Sequence, residues 1–413
     1  MRDVDFQDVV VVGAGEAGAR LALELRVQGF PGRVTLVGEE RHAPYERPPL
    51  SKALIAAADA PNPPTIVDAA RLGELGIAQI KGVAAVSIER SERRIRLADG
   101  RRLAFDRLVL ATGARARKLT LPGAERSLTL RTFEDSLAIR ARLGSAVRVV
   151  IVGGGFIGLE LASGARLLGC EVVVLEADAR LLRRSTPEAL ASAIAARHQR
   201  EGVEIALGVQ IEAIEPLGSG ARVILAEGRA IDADVVITGI GAAPTTELAS
   251  DAGLDIDNGV AVNGALQTSD PDICALGDCC SFPHPLFGGK RIRLEAWRNA
   301  QDQADFLARS LMGELGAYEA VPWFWSDQFD LHLQIAGLPS EGSWVVRRDL
   351  GDGSVLDFHL TGEGRVVGAS ALGAIDKIGR DARIAEKLIA LRATPDPAFL
   401  ARPGSKLKSL LSA

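Results

Sequence analysis

Two short stretches carry residue types at spacings that could do chemistry. Residues 9–18 read VVVVGAGEAG and residues 149–158 read VVIVGGGFIG. Each is an apolar run that enters G-x-G-x-x-G. The first glycine of that pattern permits a tight turn. The second lets a pyrophosphate approach the backbone, and the third lets the next helix pack against the strand. The helix then offers unpaired N–H groups and the positive end of its dipole to phosphate. The candidates are Gly13, Gly15, Ala17 and Gly18 in the first loop, and Gly153, Gly155 and Gly158 in the second. A carboxylate follows each loop: Glu39 lies 21 residues past Gly18 (39 − 18), and Glu176 lies 18 past Gly158 (176 − 158). At the end of a second strand, such an acid accepts hydrogen bonds from ribose hydroxyls. A carboxylate also repels a 2′-phosphate, so Glu176 favours a dinucleotide whose ribose carries a free 2′-hydroxyl. Arg180, Arg183 and Arg184, just beyond it, weaken that preference.

Residues 46–52 read ERPPLSK. Two prolines fix φ and stiffen the turn that ends at Lys52. No cysteine occurs from residue 40 to residue 56. Glu160 stands two residues past the last glycine of the second loop, in the first helical turn, where a carboxylate complements the helix dipole.

The elements that must position these residues are legible as a repeat. After each third glycine, small or apolar residues recur at i, i+3, i+4 and i+7: Gly18, Leu21, Ala22, Leu25 and Gly158, Leu161, Ala162, Ala165. That is one buried helical face. Gly29 and Gly169 predict the helix ends, and RVTLVGEE and EVVVLEAD the second strands. TSDPDICALGDC (268–279) reads as an apolar strand that delivers Asp278. From about residue 320 the apolar residues alternate with period two, as in antiparallel strands, and a helix is expected at roughly 377–392. The segment 56–64, AAADAPNPP, reads as the most flexible excursion.

Composition bounds the rest. The 413 residues are 47% hydrophobic and 24% charged, which predicts an ordered chain of roughly two to four domains. A net charge of −5 argues against a nucleic-acid footprint. No run approaches a membrane span, and the N-terminus lacks a secretory pattern, so the cytoplasm is the expected location. Cys170, Cys274, Cys279 and Cys280 form no C-x-x-C pair and read as reduced, buried thiols, and no metal site is expected.

With these residues in hand, the chain resembles the FAD-dependent pyridine-nucleotide reductases, and more closely the NADH:ferredoxin reductases of bacterial oxygenase systems. RPPLSK (47–52), LRTFEDS (130–136), GGGFIGLE (153–160), TSDPDICALGDC (268–279), RLEAWRNAQDQA (293–304) and PWFWSDQ (322–328) carry the resemblance, which covers essentially the whole chain. It implies an α/β fold of two Rossmann-like dinucleotide-binding domains, glutathione-reductase-like, plus a C-terminal α+β domain. The expected boundaries are 1–114 and 250–318 for FAD, 115–249 for NADH, and 319–413 for the β-rich C-terminal domain.

The resemblance also assigns roles. Gly13, Gly15, Ala17 and Gly18 would line the FAD pyrophosphate and Glu39 its ribose. Arg47 and Arg131 would lie near the FAD, with Ala85 giving backbone to the adenine. Asp278 would hold the ribityl chain, and Trp297 would lie close to the isoalloxazine. Lys52 would approach flavin N5, with Glu160 orienting it and the nicotinamide amide across a domain interface. Hydride would pass from NADH to FAD, and single electrons to an acidic [2Fe–2S] ferredoxin docked on a basic surface near Lys290–Arg298, extended by Lys377, Arg380 and Arg383. The enzyme would act as a monomer or weak dimer. Two other readings stay open: an NADH oxidase or peroxidase of the same fold, which usually places a cysteine where residues 40–56 have none, and a relative of apoptosis-inducing factor that acts as a binding module.

Overall fold

The computed structural model describes residues 6–57 and 62–411, so residues 58–61 of the expected flexible excursion lie outside the described residues. The chain divides into two compact units: residues 1–46, 63–115 and 243–322, and residues 47–62, 116–242 and 323–413.

In the first unit the valine-rich strand Asp8–Val12 is the centre of a five-stranded parallel sheet. It pairs with Arg33–Gly38 on one side and Arg107–Leu110 on the other. Ile77–Lys81 and Ile273–Ala275 form the two edges. Strands buried on both faces need continuous apolar runs, which is why Asp8–Val12, Arg107–Leu110 and Ile273–Ala275 lack a polar alternation, whereas the edge strand Ile77–Lys81 is partly exposed. Helix Glu16–Val27 buries Leu21, Ala22 and Leu25, three positions of the anticipated stripe. It ends where Gly29 takes φ +81°, and the Phe30 N–H returns to the Leu25 carbonyl at 2.8 Å, a left-handed C-terminal stop.

The second unit repeats the plan. Arg148–Val152 lies between Glu171–Glu176 and Val235–Thr238 in a second five-stranded parallel sheet. Helix Phe156–Leu167 stops at Gly169, φ +83°, with Cys170 N–H bonded to Ala165 O at 3.1 Å. The same unit holds a five-stranded antiparallel sheet in the order Trp323–Gln328, Leu331–Gly337, Val366–Gly373, Ser354–Leu360, Trp344–Gly351, covered by helix Ile375–Ala390. Helix and strands share buried Ile378, Ala382, Ala385 and Leu388 against Leu356, Phe358 and Ala369.

These units group the chain differently from the three expected domains. Arg47–Asn62 packs with the second unit rather than with the first dinucleotide fold, and residues 323–413 cluster with 116–242 instead of standing apart. The first difference has a local cause. Leu54 and Ile55 of the short helix Ala53–Ala56 are buried, and Ile55 lies in the core that contains Ile151, Leu159 and Ala162. A Cβ added at Gly164 would come within 2.9 Å of Ile55 Cγ2, so this glycine permits the close approach.

Candidate functional site

In the first glycine loop, the three glycines do different work. A Cβ at Gly13 would lie 2.0 Å from Ala111 O, and one at Gly18 would lie 1.9 Å from Gly13 O. A Cβ at Gly15 would meet nothing within 4 Å. Gly13 and Gly18 therefore serve the packing of strand, loop and helix, while Gly15 borders open space. Gly15 is also the N-cap of helix Glu16–Val27 and gives it no side-chain cap, so the N-terminal N–H groups remain for an anion. A pyrophosphate fits this cradle, because the space at Gly15 is open and no side chain caps the helix donors.

The neighbours of the loop come from distant sequence. A Cβ at Gly38 would lie 2.7 Å from Ala14 Cβ, so the strand end carrying the exposed Glu39 abuts the loop. Val83 N–H donates to Gly38 O at 3.1 Å and brings the strand that starts at Ala85 to the same place. Gly277, φ +77°, has its would-be Cβ 2.9 Å from Ala17 Cβ, which puts Asp278 beside the loop. Trp297 opens helix Trp297–Leu311. One turn later, Gln301 Nε2 donates to Glu16 Oε1 at 2.8 Å and ties that helix to the first turn of Glu16–Val27. Glu16 was not anticipated. Arg20 Nε also donates to its Oε1, at 2.9 Å, while its Oε2 is buried without a hydrogen-bond partner.

The second loop repeats the division of labour. Would-be Cβ atoms lie 2.5 Å from Gly239 O at Gly153 and 2.1 Å from Gly153 O at Gly158, whereas the nearest atom to one at Gly155 is 3.9 Å away. Gly155 again caps its helix without a side chain. Glu176 Oε2 accepts the Gly154 N–H at 2.7 Å and Oε1 accepts Asp178 N–H at 2.8 Å. Each carboxylate oxygen keeps a second lone pair for a ribose hydroxyl. Two of the three arginines beyond Glu176 are already engaged. Arg180 donates to the carbonyls of Leu181, Thr186 and Arg183, and Arg183 pairs with Asp178 at 2.7 Å. Both are thereby tied to protein acceptors.

Lys52 and Glu160 lie within the same unit, not across a boundary between domains, because Arg47–Asn62 belongs with the second unit. The prolines open a 3-10 turn, Pro48–Ser51, and Lys52 N–H closes on Pro49 O at 3.1 Å. Arg47 Nη1 donates to the backbone carbonyl of Arg131 at 2.5 Å, which brings those two candidates together. The Arg131 N–H in turn donates to Asp135 Oδ2 at 2.9 Å.

Glu160 is buried, with 5% of its surface exposed. Ser51 Oγ donates to its Oε2 at 2.5 Å and Ser326 Oγ to its Oε1 at 2.6 Å. Burial pushes the Glu160 carboxyl up; Lys52 and the two hydroxyls oppose this without cancelling it. The Lys52 Nζ stands 3.4 Å from Glu160 Oε1, but 2.8 Å from Asp327 Oδ2. It also lies 5.1 Å from the centroid of the Trp325 ring, within cation–π range. A chain of polar contacts continues from Ser326 to Gln328 at 3.1 Å and from Gln328 to His198 Nε2 at 2.9 Å.

Ser326, Asp327, Gln328 and Trp325 had no assigned roles in the sequence, although PWFWSDQ stood out as a motif. Its period-two alternation was the available signal. Ser326 and Gln328 share one face of strand Trp323–Gln328 and are buried there, while Trp325 and Asp327 share the other.

The basic run 290–298 is less of an open cationic face than its composition predicts. Arg291 Nη1 donates to Val262 O at 3.0 Å and to Ser281 O at 2.6 Å. Arg293 is mostly buried, and its Nη1 holds Asp278 O at 3.2 Å and Glu295 Oε1 at 2.7 Å. Arg298 lies 3.6 Å from Asp302. Lys290 is exposed. In the other unit, Lys377 pairs with Asp352 at 3.3 Å.

All four cysteines are free and buried, and burial pushes their thiols up, Cys274 to about 12. Such thiols are inert as nucleophiles or redox partners. Among the described residues, no cluster of His, Cys, Asp and Glu is arranged to hold a metal, and no helix is long and apolar enough to cross a membrane.

The profile of the pyridine nucleotide-disulphide oxidoreductase family matches residues 7–304, and that of the reductase C-terminal domain matches residues 323–411. The chain is 40% identical over 405 residues to the ferredoxin–NAD(+) reductase component of the anthranilate 1,2-dioxygenase system of Burkholderia cepacia, covering 97% of this chain and 98% of that protein. It is similar to the crystal structure of the ferredoxin reductase for the CYP199A2 system from Rhodopseudomonas palustris, with a TM-score of 0.92 and 36% identity over 97% and 98% of the two chains. Similarity to the reductase in the covalent putidaredoxin reductase–putidaredoxin complex gives a TM-score of 0.93 and 34% identity over 99% of each chain. Proteins of this kind use FAD and NAD(H), which the two cradles fit. With two dinucleotide folds, two open cradles and near full-length similarity, the chain belongs to the pyridine nucleotide-disulphide oxidoreductase family.

Proposed function

We propose that the protein is an FAD-dependent reductase that takes hydride from NADH and passes single electrons to a [2Fe–2S] ferredoxin, which feeds an oxygenase. The observation that carries this proposal is the pair of open glycine cradles together with a Lys52 cluster in which no cysteine takes part. The segment around Lys52 has no dithiol to receive electrons. FAD, when bound, supplies a centre that accepts a hydride and releases electrons one at a time.

The residues of the chain divide the remaining work. The loop of Gly13, Gly15, Ala17 and Gly18 lines the FAD pyrophosphate, with Gly15 leaving the space for it and Glu39 at its ribose. Ala85 lies at the adenine, Asp278 at the ribityl chain, and Trp297, Arg47 and Arg131 near the flavin. Gly153, Gly155 and Gly158 hold the NADH pyrophosphate, and Glu176 takes the adenosine ribose and rejects a 2′-phosphate. Lys52 faces the reactive edge of the flavin, where a fixed cation steadies the negative charge that hydride delivers. Glu160 fixes its surroundings and meets the nicotinamide amide. The acidic ferredoxin docks near Lys290–Arg298, where Lys290 is exposed. The protein works in the cytoplasm, where NADH is made, as a monomer or weak dimer.

The test combines the protein, NADH and a [2Fe–2S] ferredoxin with cytochrome c as final acceptor. Turnover that depends on ferredoxin and falls steeply with added salt is expected. Turnover that needs only O₂ or peroxide would indicate an oxidase instead, and negligible turnover with every acceptor a binding module.

A further inference from the structure

Lys52 stands between two carboxylates that differ in kind. Glu160 is fixed: its two oxygens each take a serine hydroxyl, and its helix is packed into the core. It is also the more distant partner, at 3.4 Å against 2.8 Å for Asp327. Asp327 is arranged to hold a cation. Its Oδ2 receives the Lys52 ammonium and, at 3.1 Å, the Trp325 indole N–H. Its other oxygen, Oδ1, receives His332 Nδ1 at 2.7 Å, from the neighbouring strand and directly opposite in the register. Asp327 is thus fastened on one side and presents the other to Lys52. The Trp325 ring lies 5.1 Å from the same ammonium and limits where it can swing.

We propose that Asp327, oriented by His332 and Trp325, is the residue that positions the Lys52 ammonium, and that Glu160 is a secondary partner. This rests on the proposed reductase activity only for its catalytic consequence. The placement itself stands on the distances above. Asp327 acts through Lys52, so it is a positioning residue. The charged and titratable groups that face Lys52 are Glu160 from helix Phe156–Leu167 and Asp327 from strand Trp323–Gln328, with His332 of strand Leu331–Gly337 behind Asp327. The 2.8 Å ion pair to Asp327 holds the ammonium in place. Removing that partner leaves only the longer 3.4 Å contact to Glu160, so the amine moves more freely and meets an acylating reagent more often.

The experiment uses the FAD-loaded protein and the variants Asp327→Asn, Asp327→Glu, Lys52→Ala and the double variant Lys52→Ala/Asp327→Asn. The first readout is the rate at which an amine-reactive ester labels Lys52, followed by peptide mass spectrometry at neutral pH. Labelling should rise several-fold in Asp327→Asn and return toward the original rate in Asp327→Glu. The second is rapid-mixing reduction of the FAD by NADH. Asp327→Asn should lower the limiting rate by about tenfold with little change in the half-saturating NADH. In the Lys52→Ala background the same change should cost little more. Unchanged Lys52 labelling in Asp327→Asn, or an equal loss of rate with and without Lys52, would overturn the proposal. If Asp327→Asn fails to fold, Asp327→Ser carries the same test: with no carboxylate at this position, Lys52 labelling must rise and the limiting rate must fall. A wild-type protein whose FAD is not reduced by NADH would refute the reductase activity, while the labelling result would still decide the role of Asp327.

Discussion

The Ser326 hydroxyl donates to Glu160 Oε1 at 2.6 Å, although 166 residues separate the two in the chain. Through that bond an antiparallel strand reaches the first turn of the second dinucleotide-binding helix. It keeps the buried carboxylate where helix geometry alone would leave it unpartnered.

Glu160 is an acid whose folded-state pKa lies above its unfolded one, because desolvation outweighs Lys52 and the serines. The folded protein then binds more protons than the unfolded chain, so this group contributes stability at low pH that is lost as pH rises from the ordinary glutamate range. Glu160→Gln should therefore gain in melting temperature relative to the original protein as pH rises above the ordinary glutamate value of 4.5. A gap that stays constant with pH would contradict a raised Glu160.

His359 titrates with the opposite sign. Burial lowers it from the usual histidine value to about 4, and its Nε2 lies 3.1 Å from Ser370 Oγ within the antiparallel sheet. Its contribution is fully present at pH above 6.5 and is lost as pH falls from there toward about 4. In that window the original protein should lose up to about 1.4 kcal/mol per pH unit more than His359→Gln. His198 is lowered too, but it is common to both proteins and drops out of the difference. Chemical denaturation at several pH values provides the comparison, and parallel curves for the two proteins would refute it.

Gly15 and Gly18 should separate binding from folding. Alanine at Gly15 enters open space with φ −79°, an ordinary value, so the fold should survive while FAD is lost on gel filtration. Alanine at Gly18 collides with Gly13 O, and a melting temperature lowered by several degrees or more, corresponding to about 3 kcal/mol, is expected before any question of FAD. Similar FAD retention by Gly15→Ala and the unmodified protein would remove the phosphate cradle from the account.

Glu176→Ala should lower the NADH over NADPH ratio of kcat/KM by about tenfold or more. The loss removes a repulsive carboxylate and also the 2.7 Å bond that steadies Gly154, so NADH should weaken as NADPH improves. An unchanged ratio would mean that discrimination lies elsewhere, with Arg184 the first place to look.

How much of this was legible in the sequence follows the range of each interaction. The glycine loops, the helices behind them and their left-handed stops depend on contacts between residues a few positions apart. Spacing and residue type were sufficient to predict them, as was the pairing of each loop with a following acid. The period-two strands after residue 320 were legible for the same reason.

Tertiary structure decided the neighbourhood of Lys52. A stiff turn ending in a lysine could be read from ERPPLSK, and Glu160 could be proposed from the resemblance. Yet Asp327 lies 275 residues from Lys52, and no periodicity relates them. Their meeting depends on Ile55 reaching the core past Gly164, on the strand register that sets Asp327 opposite His332, and on Ser326 locking Glu160. The basic run shows the same limit in reverse. Composition counts its charges, but only packing determines that Arg291 and Arg293 turn inward to carbonyls and that Lys290 is exposed. Local chain geometry is encoded at short range, whereas the partner of a long flexible side chain is whatever the fold brings within about 3 Å of it.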